Sequence, residues 1–265
     1  MSRHDRRAQA SVARRTGAPG ASSVGHNVLA MVCTYTGSEG KSQENMFDLE
    51  HAAQEAGHAF AFKSVDRTPL DLARNESVTK VLASKATAAL FVDDDCQVDP
   101  AWLPVALGLL TEERGILTAP CRLRGEKVVF NIMPSEPPFE VDGVRLMPCI
   151  WTGFGCVLVA RHVLEDMHAK LPKLHYQSVK VPGATSCAMF RSEIVQGKVL
   201  LAEGDPEARH YVLDDHIFSL RAHTLGHKIH ATIDVETCHA GHVGNFGVTL
   251  DAHEAAKANA QGLEA

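Results

Sequence analysis

The stretch ALFVDDDCQVDP, residues 89–100, ends an apolar run in three consecutive aspartates. Carboxylates repel one another, and Asp suits a strand interior poorly. Such a cluster is stable chiefly around a cation. Hard oxygen ligands suit Mg²⁺ or Mn²⁺, which keep water and bridge to substrate phosphates. The reading without chemistry is an acidic loop capping a helix that starts near Pro100. Asp99 fills that capping position by itself, which leaves Asp93, Asp94 and Asp95 for the cation. On an alternating strand Asp93 and Asp95 share a face, and Asp94 points the other way.

A second acidic pair, Asp214 and Asp215, opens the stretch LDDHIFSLRAHTLGHKIHATIDVETCHAGH. A positioned carboxylate removes the proton from a hydroxyl nucleophile in general-base catalysis. The structural alternative is a helix N-terminus, where acidic side chains offset the partial positive charge. The same stretch ends at His239 and His242, and a neutral imidazole is a suitable ligand for Mn²⁺. A zinc reading with Cys238, His239 and His242 has an uncommon spacing and lacks a fourth ligand. With 15 histidines in the chain, His223, His227 and His230 are given no chemistry.

The elements that must position these groups are legible in the first 115 residues. NVLAMVCTY is a continuous apolar run entering a Thr-Gly-Ser loop, the pattern of a buried strand. SQENMFDLEHAAQEAG spaces Met46, Leu49, Ala53 and Ala56 helically, with Gly57 as C-terminal cap. HAFAFKSVD reads as a strand, PLDLARNESVTKVLASK as a helix with Pro69 in its first turn, and ATAALFVDDD as a third strand. PAWLPVALGLLTEE is the next helix. This alternation predicts an α/β fold with parallel strands, whose ligands gather at the strands' carboxyl ends. GILTAPCRL, KVVFNIMP and VRLMPCIW read as further strands and ARHVLEDMHAKLP as a helix. Residues 176–211 have no clean period.

The 265 residues carry 45% hydrophobic and 22% charged side chains, the composition of a globular protein. A formal net charge of −6 argues against holding nucleic acid by charge alone, although a nucleic-acid acceptor stays open. Seven cysteines at 33, 96, 121, 149, 156, 187 and 238 form no CxxC pair, and their number is odd. They predict reduced thiols and a cytoplasmic protein. No apolar run reaches 18 residues, so no membrane span is expected. Residues 1–26 hold five Arg and no apolar core, which predicts a disordered basic arm. The expected organisation is this arm, a catalytic domain over 27–248, and an Ala-rich tail over 249–265.

LFVDDDCQVDPAWL resembles the Asp-x-Asp signature of GT-A fold glycosyltransferases, in particular the family-2-like group. Asp93 and Asp95 match the signature pair. LARNESVTKVL resembles the family's helix before the metal strand, and Arg74 and Asn75 match the positions that reach the nucleotide. AMVCTYTGSEGKS resembles the first strand and nucleotide loop, with Thr34 and Tyr35 at its mouth. Asp66 falls where the family holds base or ribose. WTGFGCVLVARHVLE resembles the acceptor-side segment, and implies that Gly153 and Gly155 face the sugar. Asp214 and Asp215 match the family's acidic pair, Asp215 at the catalytic-base position, and His239 matches a further metal ligand. The resemblance implies a GT-A fold: a Rossmann-like nucleotide half with a mixed, mainly parallel sheet, and an acceptor half. It implies Mn²⁺- or Mg²⁺-dependent transfer of a sugar from a UDP- or GDP-sugar to an unidentified hydroxyl acceptor, with inversion. Two alternatives remain. A phosphatase of haloacid-dehalogenase type also uses Asp-x-Asp, but Cys96 and Gln97 follow Asp95 where that motif reads Thr or Val. A non-catalytic relative would bind sugar nucleotide or glycan without turnover.

Overall fold

The structure is a computed structural model, and it describes residues 25–34, 40–66, 69–196, 209–239 and 241–262. Strand β1 (Asn27–Thr34) is followed by helix α1 (Gly40–Glu55), β2 (Ala59–Asp66), α2 (Leu70–Leu82) and β3 (Ala88–Asp93). Both β2 and β3 pair with β1 in parallel, as the alternation predicts. Thr34 pairs with Asp66, and Cys33 with Asp93, so the three carboxyl ends lie in one row.

The side chains of these strands alternate between two cores. Val28, Ala30 and Val32 of β1 and Ala88, Leu90 and Val92 of β3 pack with Met46, Leu49 and Ala53 of α1. Leu29, Met31, Cys33, Ala89 and Phe91 pack on the opposite face with Ala73, Val78 and Val81 of α2. Apolar residues at both parities are what a central strand covered on two faces requires.

Beyond β3 come the short β4 (Cys96–Val98), α3 (Trp102–Leu109), β5 (Ile116–Thr118), β6 (Ile132–Pro134), β7 (Phe139–Val141), the long β8 (Val144–Thr152) and β9 (Cys156–Ala160). Helix α4 (Arg161–Lys170) follows directly, then the pairs β10 (His175–Gln177) with β11 (Thr185–Cys187) and β12 (Glu193–Gln196) with β13 (Arg209–Val212). The chain ends in α5 (Asp214–Thr224), β14 (Ile229–Thr232), β15 (Glu236–His239), β16 (His242–Asn245) and α6 (Phe246–Gly262). The main sheet has the order β2-β1-β3-β9-β5-β14-β8-β6, with β7 also on β8. β9 runs antiparallel to β3 and β5, and β8 antiparallel to β14, so the sheet is mixed. A separate antiparallel sheet, β16-β15-β4, joins the segment after the aspartates to the C-terminal histidines.

Four details differ from the sequence reading. Strand β3 stops at Asp93, and Asp94 and Asp95 form a turn, so strand alternation does not govern them. Helix α3 starts at Trp102; the Asp99 carboxylate accepts the Ala101 amide at 3.0 Å, one residue ahead of the helix. Helix α6 starts at Phe246 and includes residues assigned to a tail. It is seated by the Gly247 amide on the Ile233 carbonyl (2.7 Å) and by Arg145, which grips Asp234 and Asp251. The segment 176–211 contains β11 and β12 and parts of β10 and β13; residues 197–208 and the arm to residue 24 lie outside the described residues. Among the described residues the cysteines are free, six of them buried, and no helix is long and apolar enough to cross a membrane.

Candidate active site at the carboxyl ends of the strands

Helix α2 is buried over most of its circumference, and its polar residues are therefore spoken for. Arg74, Asn75, Glu76, Ser77 and Thr79 are all buried. Arg74 and Asn75 therefore do not lie on a solvated helix face. The side chain of Asn75 donates to the Phe190 carbonyl at 2.6 Å and accepts the Phe190 amide at 2.9 Å, fixing that backbone.

Arg74 is 2% exposed and sits at the centre of the acidic groups. Its Nη2 donates to both oxygens of Asp93 at 3.1 and 3.2 Å, and its Nη1 donates to Asp214 Oδ2 at 2.7 Å. The guanidinium lies 5.6 Å from the ring centre of Phe154 and 6.0 Å from that of Phe190. These rings belong to a packed group with Phe91 and Phe218. An aromatic floor favours a desolvated cation through the ring quadrupole. The carboxylates hold Arg74 charged against its burial, raising its pKa. One guanidinium thus ties the end of β3 to the first residue of α5.

Asp215 follows Asp214 in the first turn of α5. Its Oδ1 accepts the His216 amide at 2.8 Å, and burial raises its carboxyl pKa against the opposing pull of Arg74. Burial also raises Asp93, again opposed by Arg74. Gly226, at φ 90°, ends this helix in the left-handed conformation that glycine adopts without strain.

Asp95 is held differently. Its carboxyl falls to about 2, chiefly through the hydrogen bond from His239, with Arg124 adding to it. His239 Nε2 lies 3.3 Å from Asp95 Oδ2, and Arg124 forms an ion pair with the same oxygen. The pairing of β15 with β4 puts His239 directly opposite Cys96, which explains how residues so far apart in sequence meet. His239 Nδ1 donates to the Arg122 carbonyl at 3.1 Å, so Nε2 faces the carboxylate. Asp95 in turn raises the pKa of His239. An oxygen of Asp95, Cys96 Sγ and a ring nitrogen of His239 lie within 4.8 Å of one another. The neighbouring Cys121 thiol, and after it burial, raise the Cys96 pKa.

A cleft of about 260 Å³ is lined by Cys33, Thr34, Leu70, Ala73, Asp93, Asp94, Asp95 and His239. Thr34 and all three aspartates therefore share it. Asp94 lines it too, contrary to the alternation argument, because the turn frees it from the strand's two faces. Asp66 ends β2 opposite Thr34, and Tyr35 lies outside the described residues. Gly153 and Gly155 face protein atoms. A Cβ at Gly153 would come within 2.9 Å of the Asn131 side chain, and one at Gly155 within 2.9 Å of Cys96 Sγ and 3.1 Å of Cys121 Sγ. Cys96, Arg124 and the Arg122 carbonyl are site groups that the sequence did not single out. The one sequence signal for Cys96 is its place directly after Asp95.

No protein-family model matches the chain, and no curated protein matches it. Among solved structures it is similar to A197 from STIV, with a TM-score of 0.46 and 13% identity over 80% of this chain and 85% of that one. It is also similar to a glycosyltransferase involved in the glycosylation of the major capsid of PBCV-1, with a TM-score of 0.32 and 13% identity over 56% of this chain and 66% of that one. A third similar structure is mannose-1-phosphate geranyltransferase from Thermus thermophilus, with a TM-score of 0.30 and 14% identity over 55% of this chain and 61% of that one. The chain spans less than two thirds of the length of each of the last two.

Proposed function

We propose that this chain is a GT-A-type glycosyltransferase that moves a sugar from a UDP- or GDP-sugar to a hydroxyl acceptor. The observation that carries the reading is one row of strand ends where Asp95 meets His239 and Arg74 bridges Asp93 to Asp214. Asp215 is then next to the bridge, in the turn that follows it.

The Asp95 and His239 pair fits a divalent cation. With Nδ1–H committed to the Arg122 carbonyl, a neutral His239 turns its Nε2 lone pair toward a carboxylate oxygen. Two acceptors face each other there, and a proton or a metal ion between them removes the repulsion. A divalent cation held by Asp95 and His239, with Asp93 assisting, would neutralise the charge on the departing diphosphate.

The chain's own residues do the rest. Arg74 keeps Asp93 and Asp214 at fixed separation and stays charged, so the cleft keeps its shape when a donor enters. Asp215 removes the acceptor proton as the hydroxyl attacks the anomeric carbon. Its pKa, raised by burial, brings the carboxylate nearer the basicity that task needs. Attack from the face opposite the leaving diphosphate inverts the anomeric carbon.

The test is nucleoside diphosphate release from a panel of UDP- and GDP-sugars with Mn²⁺, with and without EDTA. EDTA should stop release. Asp215→Asn should bind donor with near-normal affinity and lose transfer by about 10²–10⁴-fold, the range for a general base. Full turnover by Asp95→Ala, or phosphate release from simple phosphomonoesters in place of transfer, would overturn the reading. Donor binding without turnover for any acceptor would make the protein a sugar-nucleotide binder.

A further inference from the structure

We infer that Cys96 is a ligand in the Asp95–His239 centre, and that this centre selects a thiolate-accepting divalent ion of the Zn²⁺ or Co²⁺ type over Mg²⁺. The location rests on the proposed cation site; the choice of metal and the third ligand do not depend on sugar transfer.

Three observations lead there. First, Cys96 and His239 are directly opposed residues of the antiparallel β4–β15 pair, and directly opposed side chains project from the same face of a sheet. The fold itself, and no chance rotamer, brings the thiol and the imidazole together. Second, Cys96 Sγ donates to Asp95 Oδ1 at 3.7 Å, while His239 Nε2 lies 3.3 Å from Asp95 Oδ2. The three donor atoms lie within 4.8 Å of one another, close enough to converge on one ion. Third, the imidazole is aimed by an outer partner: its Nδ1–H is bonded to the Arg122 carbonyl, as metal-ligating histidines commonly are. Cys238, one residue earlier on β15, belongs to the opposite face of that sheet.

Ligand chemistry then decides the metal. One sulfur, one imidazole nitrogen and one carboxylate oxygen are a set suited to Zn²⁺, whereas Mg²⁺ takes oxygen ligands and strict octahedral geometry. Three protein ligands also leave a tetrahedral position open toward the cleft, where a substrate oxygen can enter. As the metal–sulfur bond forms, the Cys96 S–H proton passes to solvent, and Arg124, 62% exposed, is free to leave Asp95.

The full chain, stripped of metal and without nucleotide, would be titrated with Co²⁺ and then with Zn²⁺ as competitor. The expected result is a thiolate-to-Co²⁺ charge-transfer band in the near ultraviolet at one equivalent, abolished by Zn²⁺ and unaffected by excess Mg²⁺. Cys96→Ser should remove the band and weaken Zn²⁺ by more than the about 10–100-fold that loss of an outer partner costs. Cys121→Ser and Cys238→Ser should retain it. Should Cys96→Ser fold poorly, His239→Gln is the second variant, and it too should lose the band. No band in the wild-type protein, or a band that survives in Cys96→Ser, overturns the inference. A centre that gives the band but no transfer would defeat only the proposed function. Transfer with Mn²⁺ and no band would defeat only the thiolate ligand.

Discussion

Arg74 answers three carboxylates with one buried charge, and its removal should therefore cost more than any single contact it makes. A buried ion pair broken from one side leaves the other partner uncompensated, typically at about 3–5 kcal/mol. Arg74→Met, which keeps much of the stem's packing over Phe154 and Phe190, is expected to lower unfolding free energy by about that much in urea melts. Asp95 permits a prediction about pH. Its carboxyl is lowered from 3.8 to about 2 by His239 first and Arg124 next, so it contributes stability that is present above about pH 4 and lost as pH falls toward 2. His239 is raised above 6.5 by the same contact, so its contribution is present below that pH and lost as pH rises through the folded value. Both statements describe one interaction, worth about 1–2 kcal/mol at most, and are not summed. In metal-free protein, Asp95→Asn should flatten both limbs of the urea midpoint measured against pH. An unchanged acid limb would show that Asp95 is not held by His239.

At the scale of elements, the site depends on strands of three and four residues more than on the long ones. The β16–β15–β4 sheet is what carries His239 to Asp95, and it is anchored by Thr237, 1% exposed, whose hydroxyl donates to the Pro120 carbonyl at 2.7 Å. Thr237→Val keeps the shape and strands that carbonyl. It should cost about 1–3 kcal/mol and weaken cation binding in the same variant. Gly155 supports the site from beneath, where a Cβ would meet two sulfur atoms. Gly155→Ala should lower stability by about 1–3 kcal/mol through overpacking, and should displace Cys96, read as weakened Co²⁺ binding. These two variants test the same assembly from opposite sides. Loss of stability with metal affinity intact would show that β4 moves independently of the site.

For the whole molecule, the two cores and the cleft couple folding to ligand. A ligand that binds only the folded chain at about 100 times its dissociation constant adds about 2.7 kcal/mol. For a chain of this size that is about 5–10 °C in Tm. Adding the correct sugar nucleotide to metal-loaded protein should produce a further shift of that order, and sugar nucleotide without metal should not reach it. The sequence by itself determined the β1–α1–β2–α2–β3 start, because each element is long enough to repeat its period and is bounded by Gly, Pro or Asp. It also determined that the aspartates from Asp93 to Asp95 would lie at the ligand edge of the third strand, although not that the strand stops at Asp93, and that Asp214, Asp215 and His239 were worth watching. Residues such as Cys96 and Arg124 gave no such signal, since a three-residue strand repeats no period and a single thiol or guanidinium matches no motif. Tertiary structure alone decided that Arg74 would be consumed by Asp93 and by Asp214, a residue 140 positions away. It decided that Asn75 would hold Phe190, that Asp94 would line the cleft, and that Cys96 would stand opposite His239. Local propensity and periodicity act over a few residues and fix elements. Which donor atoms meet is set by cross-strand register and by the burial of unpaired charge, and both exist only once distant segments have packed.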